Sequence, residues 1–248
     1  MSERADPADV LALPPAARIR ERITKVMLAD AAADLGIDNK IVDRAVDVAS
    51  AVVGVIRPET AQIPAGRAGP DVVGDIPVLH LVLAPRATSA DQTKLIDLLH
   101  RSMARPVILF VTSSKGDDAI SLALTHISAN NANRSVIDAR TFAPLNQLAP
   151  GSLRFSVLDR ADLAIFYRDL TRVVAARGQP TVAGLTTEQI IQMRRELTAL
   201  EGDLASTVRA AQSERSHSGR IVLNTRAREL RDRIQTVRAA LYNPAPTH

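Results

Sequence analysis

The sequence predicts an α/β protein, a mixed sheet with flanking helices, followed by a C-terminal antiparallel helical hairpin of coiled-coil type. Three observations predict it. Two apolar runs, IPVLHLVLAP from Ile76 and PVILFVTSS from Pro106, have the length and the Val/Leu richness of buried strands. The segment between them is helical in its spacing, so residues 76–113 form a strand–helix–strand crossover whose strands are parallel. Beyond Thr186 the texture changes to apolar residues in steps of three and four.

The elements follow in order. AARIRERITKVMLADAAADLG carries Ile19, Ile23, Val26 and Met27 at helical spacing and stops at Gly36. A second helix is expected from Asn39 through Val48, then a short buried strand, ASAVVGVI, ending before Pro58. RPETAQIPAGRAGPDVVGD, with its Pro and Gly, is expected to be a loop. Ser89 with Gln92 has capping-box spacing, and Leu95, Ile96, Leu98, Leu99 and Met103 give that helix a buried face. After the second apolar run, KGDD makes a tight turn into AISLALTHIS, an antiparallel partner that makes the sheet mixed. NNANR turns the chain into SVIDARTF, and Asp159 is placed to cap a helix containing Leu163, Ile165, Phe166, Leu170 and Val173.

In the C-terminal third, Thr186 and Gln189 form another capping box. Ile190, Met193, Leu197, Leu200 and Leu204 make one seam; Ala227, Leu230, Ile234, Val237 and Leu241 make a second. The seams are out of phase by an offset that a continuous coiled coil does not absorb. A break is therefore expected in ERSHSGRIVLN, with Gly219 and Asn224 turning the chain through residues 213–224. The organisation read from these signals is a body over 1–178, a hairpin over 186–242 and a tail over 243–248.

Composition bounds the function. Aromatics are 2% of the 248 residues and there is no Trp, which argues against base-stacking platforms for single strands. With no Cys there is no disulfide, thiolate metal site or Cys nucleophile. The N-terminal MSERADPADV is polar and unlike a secretion signal, and no apolar run reaches membrane-spanning length, so a cytoplasmic protein with no membrane contact is expected. The net charge is +4, the pI is near 9.9, and Lys25, Lys40, Lys94 and Lys115 are the only lysines. An Arg-rich surface suits phosphate, although GC-rich coding explains the same bias.

No phosphate-loop, dinucleotide or nucleophile-elbow motif is present, and the five His have no metal-ligand spacing. Asp117 and Asp118 fall on a turn, where Asp is favoured for backbone reasons. Asp75 and Glu59 flank the best strand without companions at useful spacing. No catalytic residue, metal or cofactor is expected. The positive signal is basic: eight Arg between 209 and 238 face only Glu214, Glu229 and Asp232. Arg215, Arg220, Arg226, Arg228 and Arg231 are the candidate contacts to nucleic acid or a partner, against the plainer reading of a solvated helix face.

Several pieces, in this order, resemble a bacterial family known as domain of unknown function 4391. They are LALPPAARIRERITK, VIRPETAQIP, IDLLHRSMARPVILFV, LDRADLAIFYRDL and ERSHSGRIVLNTRAREL. The chain lacks the aromatics that in this family precede the PET loop and sit in the C-terminal connector. The resemblance implies a companion of DNA methyltransferases and helicases in restriction or phage-defence loci, and the expected role is a non-enzymatic adaptor whose hairpin contacts the helicase or methyltransferase, the DNA, or both. Pro58, Glu59 and Thr60 match the family loop, with fixing the exit from the strand as the preferred role. Two other readings stand beside it: a divergent metal-dependent nuclease testable at Glu59 and Asp75, and a homo-oligomer held by the hairpin.

Overall fold

The computed structural model describes residues 6–243. The chain divides into two compact units, Met1–Gly178 and Gln179–His248.

The first unit opens with a short helix, α1 (Pro7–Val10), and a strand, β1 (Arg18–Arg22). Helices α2 (Lys25–Asp34) and α3 (Lys40–Ala45) lead into β2 (Ala51–Ile56). One helical turn, α4 (Pro58–Ala61), and a small hairpin, β3 (Gly66–Ala68) with β4 (Asp71–Val73), precede β5 (Ile76–Val82). Helix α5 (Ser89–Arg101) crosses to β6 (Ile108–Thr112), and a long hairpin follows, β7 (Asp118–Ser128) with β8 (Asn131–Pro144). Helix α6 (Leu163–Ala175) closes the unit.

The main sheet runs β1-β2-β5-β6-β7-β8. Only β5 and β6 are parallel, as a right-length crossover dictates, and every other neighbour is antiparallel. Because side chains alternate along a strand, each face gathers its own core. Ile76, Val78, Ile108, Phe110, Ile120 and Leu122 pack with Ala8 of α1, with Leu11 just after it, and with Phe166 and Leu170 of α6. Leu79, Leu81, Leu109 and Val111 pack on the other side with Leu95, Leu98 and Leu99 of α5 and with Leu28, Ala32 and Val42. A mixed sheet flanked by helices is therefore the architecture.

Several local expectations are corrected. The helix expected around Ile19 is a strand: residues 18–22 pair with β2, all five exposed, and Ile19 faces outward. The edge groups of β2 need partners, and this outweighs helical spacing in a stretch that is exposed throughout, with burial only at the flanking Ala17 and Ile23. The helix starts after Thr24, whose hydroxyl accepts from the Met27 amide, so Val26 and Met27 point to solvent. Helix α3 ends at Ala45, and Val46 bridges Leu83 instead of continuing to Val48. The expected loop at 57–75 contains α4 and the β3–β4 hairpin. Asn131 already belongs to β8, so the turn there is tighter than NNANR.

Two caps also move. Helix α5 is capped by Thr88, with Asp91 as the reciprocating residue: the Asp91 amide donates to the Thr88 hydroxyl at 3.1 Å and the Thr88 amide to Asp91 at 3.0 Å. Asp91 is buried and also takes Arg44 at 2.5 Å. The Thr88 backbone N–H, aided by Arg44, outweighs burial and holds its carboxyl below the usual range. Helix α6 is capped by Asp162, which accepts from the Ile165 amide at 2.8 Å; Asp159 caps only the preceding turn. Gly178, at φ 73°, reverses the chain after α6 where a Cβ would collide with Ser152 and Ala149.

The second unit is a helical pair, α7 (Thr187–Ser213) and α8 (His217–Leu241). The Thr186–Gln189 box is present. The Val182 amide donates to the Leu241 carbonyl at 3.0 Å, which brings the start of one helix to the end of the other and makes the pair antiparallel. Leu197, Leu200, Leu230 and Ile234 form its core, with Leu204, Val237 and Tyr242 against them. The connector is only Glu214–Ser216, and Ser216 caps α8 through the Gly219 amide. Gly219 and Asn224 are helical residues, not turn formers. A single exposed glycine or asparagine costs a helix less than a kilocalorie or so, and the cap and the seam outweigh that. Among the described residues no helix is long and apolar enough to cross a membrane. Residues 244–248 of the expected tail lie outside the described residues.

Candidate functional site

The five candidate arginines do not form one equivalent set. Arg215 lies in the connector, and Arg220, Arg226, Arg228 and Arg231 are exposed on α8. Arg226 pairs with Glu229 at 3.3 Å. Of the other arginines in the basic stretch, Arg233 reaches Glu196 at 3.3 Å and Arg238 reaches Glu201 at 3.0 Å, both across the helical pair. Arg209, Arg215, Arg220, Arg228 and Arg231 have no acidic partner among the described residues. The charge excess read along one stretch is thus reduced by α7, whose Glu196 and Glu201 are remote in sequence and adjacent in space. What remains is a set of exposed guanidinium groups around the connector and along α8, each free to fork onto a phosphate or carboxylate.

Pro58, Glu59 and Thr60 occupy α4. Pro58 stands at its first turn, where a missing N–H costs nothing. Thr60 accepts from the Arg57 amide at 3.1 Å and lies 3.3 Å from the Val55 carbonyl, clamping the turn to the end of β2. Glu59 is exposed. Asp75 is held by Arg105 at 2.5 Å and Arg57 at 4.0 Å, so its carboxylate is paired with cations. The Ser113 hydroxyl caps the turn by accepting from the Lys115 and Asp117 amides, Asp117 lies exposed within it, and Asp118 begins β7. Among the described residues no three His, Cys, Asp or Glu stand where they could share a metal ion.

Sheet adjacency assembles one constellation from residues far apart along the chain. His80 on β5, Thr112 at the end of β6 and Asp118 at the start of β7 stand side by side. The Thr112 hydroxyl donates to Asp118 Oδ1 at 2.6 Å. Its single proton is then committed, so the 2.8 Å contact to His80 requires Nε2–H of the ring to donate to Thr112 Oγ1. Thr112 is buried, while His80 and Asp118 are half-buried. The chain fixes the ring's tautomer and orientation. Only the alternation of β5 and the position of Thr112 at a strand end hint at it in the sequence, because pairing sets the register that joins them.

The second histidine of interest, His100 on α5, is structural. Its Nε2 lies 3.0 Å from the Ser121 hydroxyl, and burial, with the Arg140 charge adding, lowers its pKa to about 3. It is a neutral polar tie between helix and sheet. Arg140 is itself paired with Asp97.

Over residues 11–234 the chain matches a family described as a Domain of unknown function (DUF4391), and it belongs to that family. No curated protein matches it, and no solved structure does.

Proposed function

We propose that the protein is a non-enzymatic accessory subunit of a bacterial DNA-modification, restriction or anti-phage assembly. In this reading it works in the cytoplasm beside a helicase or a DNA methyltransferase of the same locus. The α/β unit is the docking module, and the helical pair is the contact to DNA or to the partner. One observation carries the reading: Arg209, Arg215, Arg220, Arg228 and Arg231 are exposed without acidic partners, whereas the neighbouring Arg226, Arg233 and Arg238 are neutralised. Guanidinium groups left in this state suit a polyanionic surface. The resemblance to companions of methyltransferases and helicases supplies the setting.

The test is binding of the full chain to a short DNA duplex, followed by fluorescence anisotropy across a salt series. Replacing the five arginines by Ala is expected to weaken binding and flatten the salt dependence, since fewer counterions are released. Unchanged affinity and slope would remove DNA from the reading. Co-purification with a helicase or methyltransferase encoded beside this gene tests the partner half, and loss of the complex in the same variant locates the contact.

A further inference from the structure

A cleft of about 270 Å³ opens on one face of the sheet beside the C-terminal end of β5, half of the parallel pair. Its floor is small and apolar, Ala51 and Val53 of β2 with Val82 of β5. His80 forms one wall, β1 contributes Arg18 and Arg20, and Asp6 stands at the start of α1.

The charges in the cleft are not equivalent. Arg18 is committed to Asp9 at 2.7 Å and to the Leu13 carbonyl at 3.0 Å. The Asp6 carboxylate accepts from the Ala8 amide at 2.9 Å. Arg20 is exposed and has no acidic partner among the described residues. It is the cation the cleft presents.

The wall is built with more care than folding requires. His80, Thr112 and Asp118 occupy the same sheet face as Val78, Phe110 and Ile120, and apolar residues there would serve the core as well. Thr112 is the buried member of the three, and its hydrogen bonds to His80 and Asp118 recover only part of the cost of burying its hydroxyl. Their combined effect is to hold one imidazole in a single orientation at the cleft. Breaks in the local pattern of this kind mark functional positions.

We propose that this cleft binds a small organic anion, a carboxylate or phosphate with a short apolar portion. Arg20 takes the charged group, Ala51, Val53 and Val82 receive the apolar part, and the His80 ring, held through Thr112 to Asp118, borders the site without contacting the charged group. The volume suits a small metabolite, just below the roughly 300–1,000 Å³ of drug-sized pockets. Thr112 is buried, so it acts as a positioning residue for His80 and does not meet the ligand.

The experiment uses the full chain labelled with ¹⁵N, reading side-chain imidazole correlations while inorganic phosphate or butyrate is added at constant ionic strength. His80 is expected to shift saturably with at least one probe. Arg20→Ala should weaken that binding about ten-fold or more, the loss of one charge-assisted contact. Ala51→Leu should block it by filling the floor. Thr112→Val should release the ring from its fixed orientation, visible in the ¹⁵N shifts without any ligand, and lower affinity less than Arg20→Ala does. Arg20 lies on an exposed edge strand, so its variant is expected to fold, and an unchanged signal from buried, neutral His100 verifies this. Shifts reproduced by sodium chloride, or equal in Arg20→Ala and the parent for both probes, overturn the proposal, as does the absence of a saturable shift with either probe.

Discussion

The Tyr167 hydroxyl of α6 reaches into the sheet and takes the place of a ladder rung at Ala123. It accepts from the Ala123 amide at 3.1 Å and lies 3.0 Å from both the Ala123 and the Val107 carbonyls, which share its single proton. Regular pairing of β6 with β7 covers Leu109 opposite Ser121 and stops short of Val107 opposite Ala123. The phenol bridges that gap from the helix side, and burial pushes its pKa well above the ordinary tyrosine value. Tyr167→Phe should therefore cost about 1–3 kcal/mol, because a buried N–H loses its acceptor. Denaturant unfolding of the full chain measures it, and hydrogen exchange at Ala123 should accelerate in the variant.

Acid sensitivity should come from His100. In the folded chain its pKa is lowered to about 3, against 6.5 for the free side chain. Between those values the unfolded state binds a proton that the folded state refuses, so stability rises with pH. It should be fully present above about pH 6.5 and fall by roughly 1.4 kcal/mol per pH unit below it. At pH 5 the loss is about 2 kcal/mol. His100→Gln, which keeps a polar group near Ser121, should show a flatter unfolding midpoint between pH 7 and 5. Identical pH profiles for the two proteins would remove His100 as the cause.

The capping of α5 separates two adjacent hydroxyls. Thr88→Ala should destabilise by about 1 kcal/mol, the usual cost of a lost N-cap. Ser89→Ala should be near neutral, since Ser89 is exposed and only its backbone carbonyl is used, by Thr93. Thermal unfolding of the two variants reads the difference directly.

Asn224 tests the position of the connector. It lies exposed within α8, so Asn224→Ala should stabilise the helical pair by a few tenths of a kcal/mol through helix propensity. A residue that turned the chain would instead lose stability on the same change. Far-UV circular dichroism during thermal unfolding distinguishes the signs.

The arginines divide by partner. Arg226→Ala, Arg233→Ala and Arg238→Ala remove surface ion pairs and should cost roughly 0–1 kcal/mol of stability each, with little effect on the salt dependence of DNA binding. Arg215→Ala, Arg220→Ala, Arg228→Ala or Arg231→Ala should leave stability unchanged and reduce the log–log salt slope by roughly 0.9 each if each meets a phosphate of duplex DNA.

Sequence alone determined the parts whose physics is local. Two β-rich apolar runs around a helix-patterned segment gave parallel β5 and β6, and a phase break between two seams gave two antiparallel helices. Apolar periodicity reports burial, and burial of one face is what these elements share. Tertiary structure decided what depends on neighbours far along the chain. Residues 18–22 became a strand because β2 offered an unpaired edge, overriding helical spacing. Arg233 and Arg238 lost their charge excess because the fold set Glu196 and Glu201 against them. His80, Thr112 and Asp118 are unremarkable in sequence and become one hydrogen-bonded chain only when three strands lie in register. Pairing and register are set by long-range contacts, and single-chain periodicity carries no signal for them.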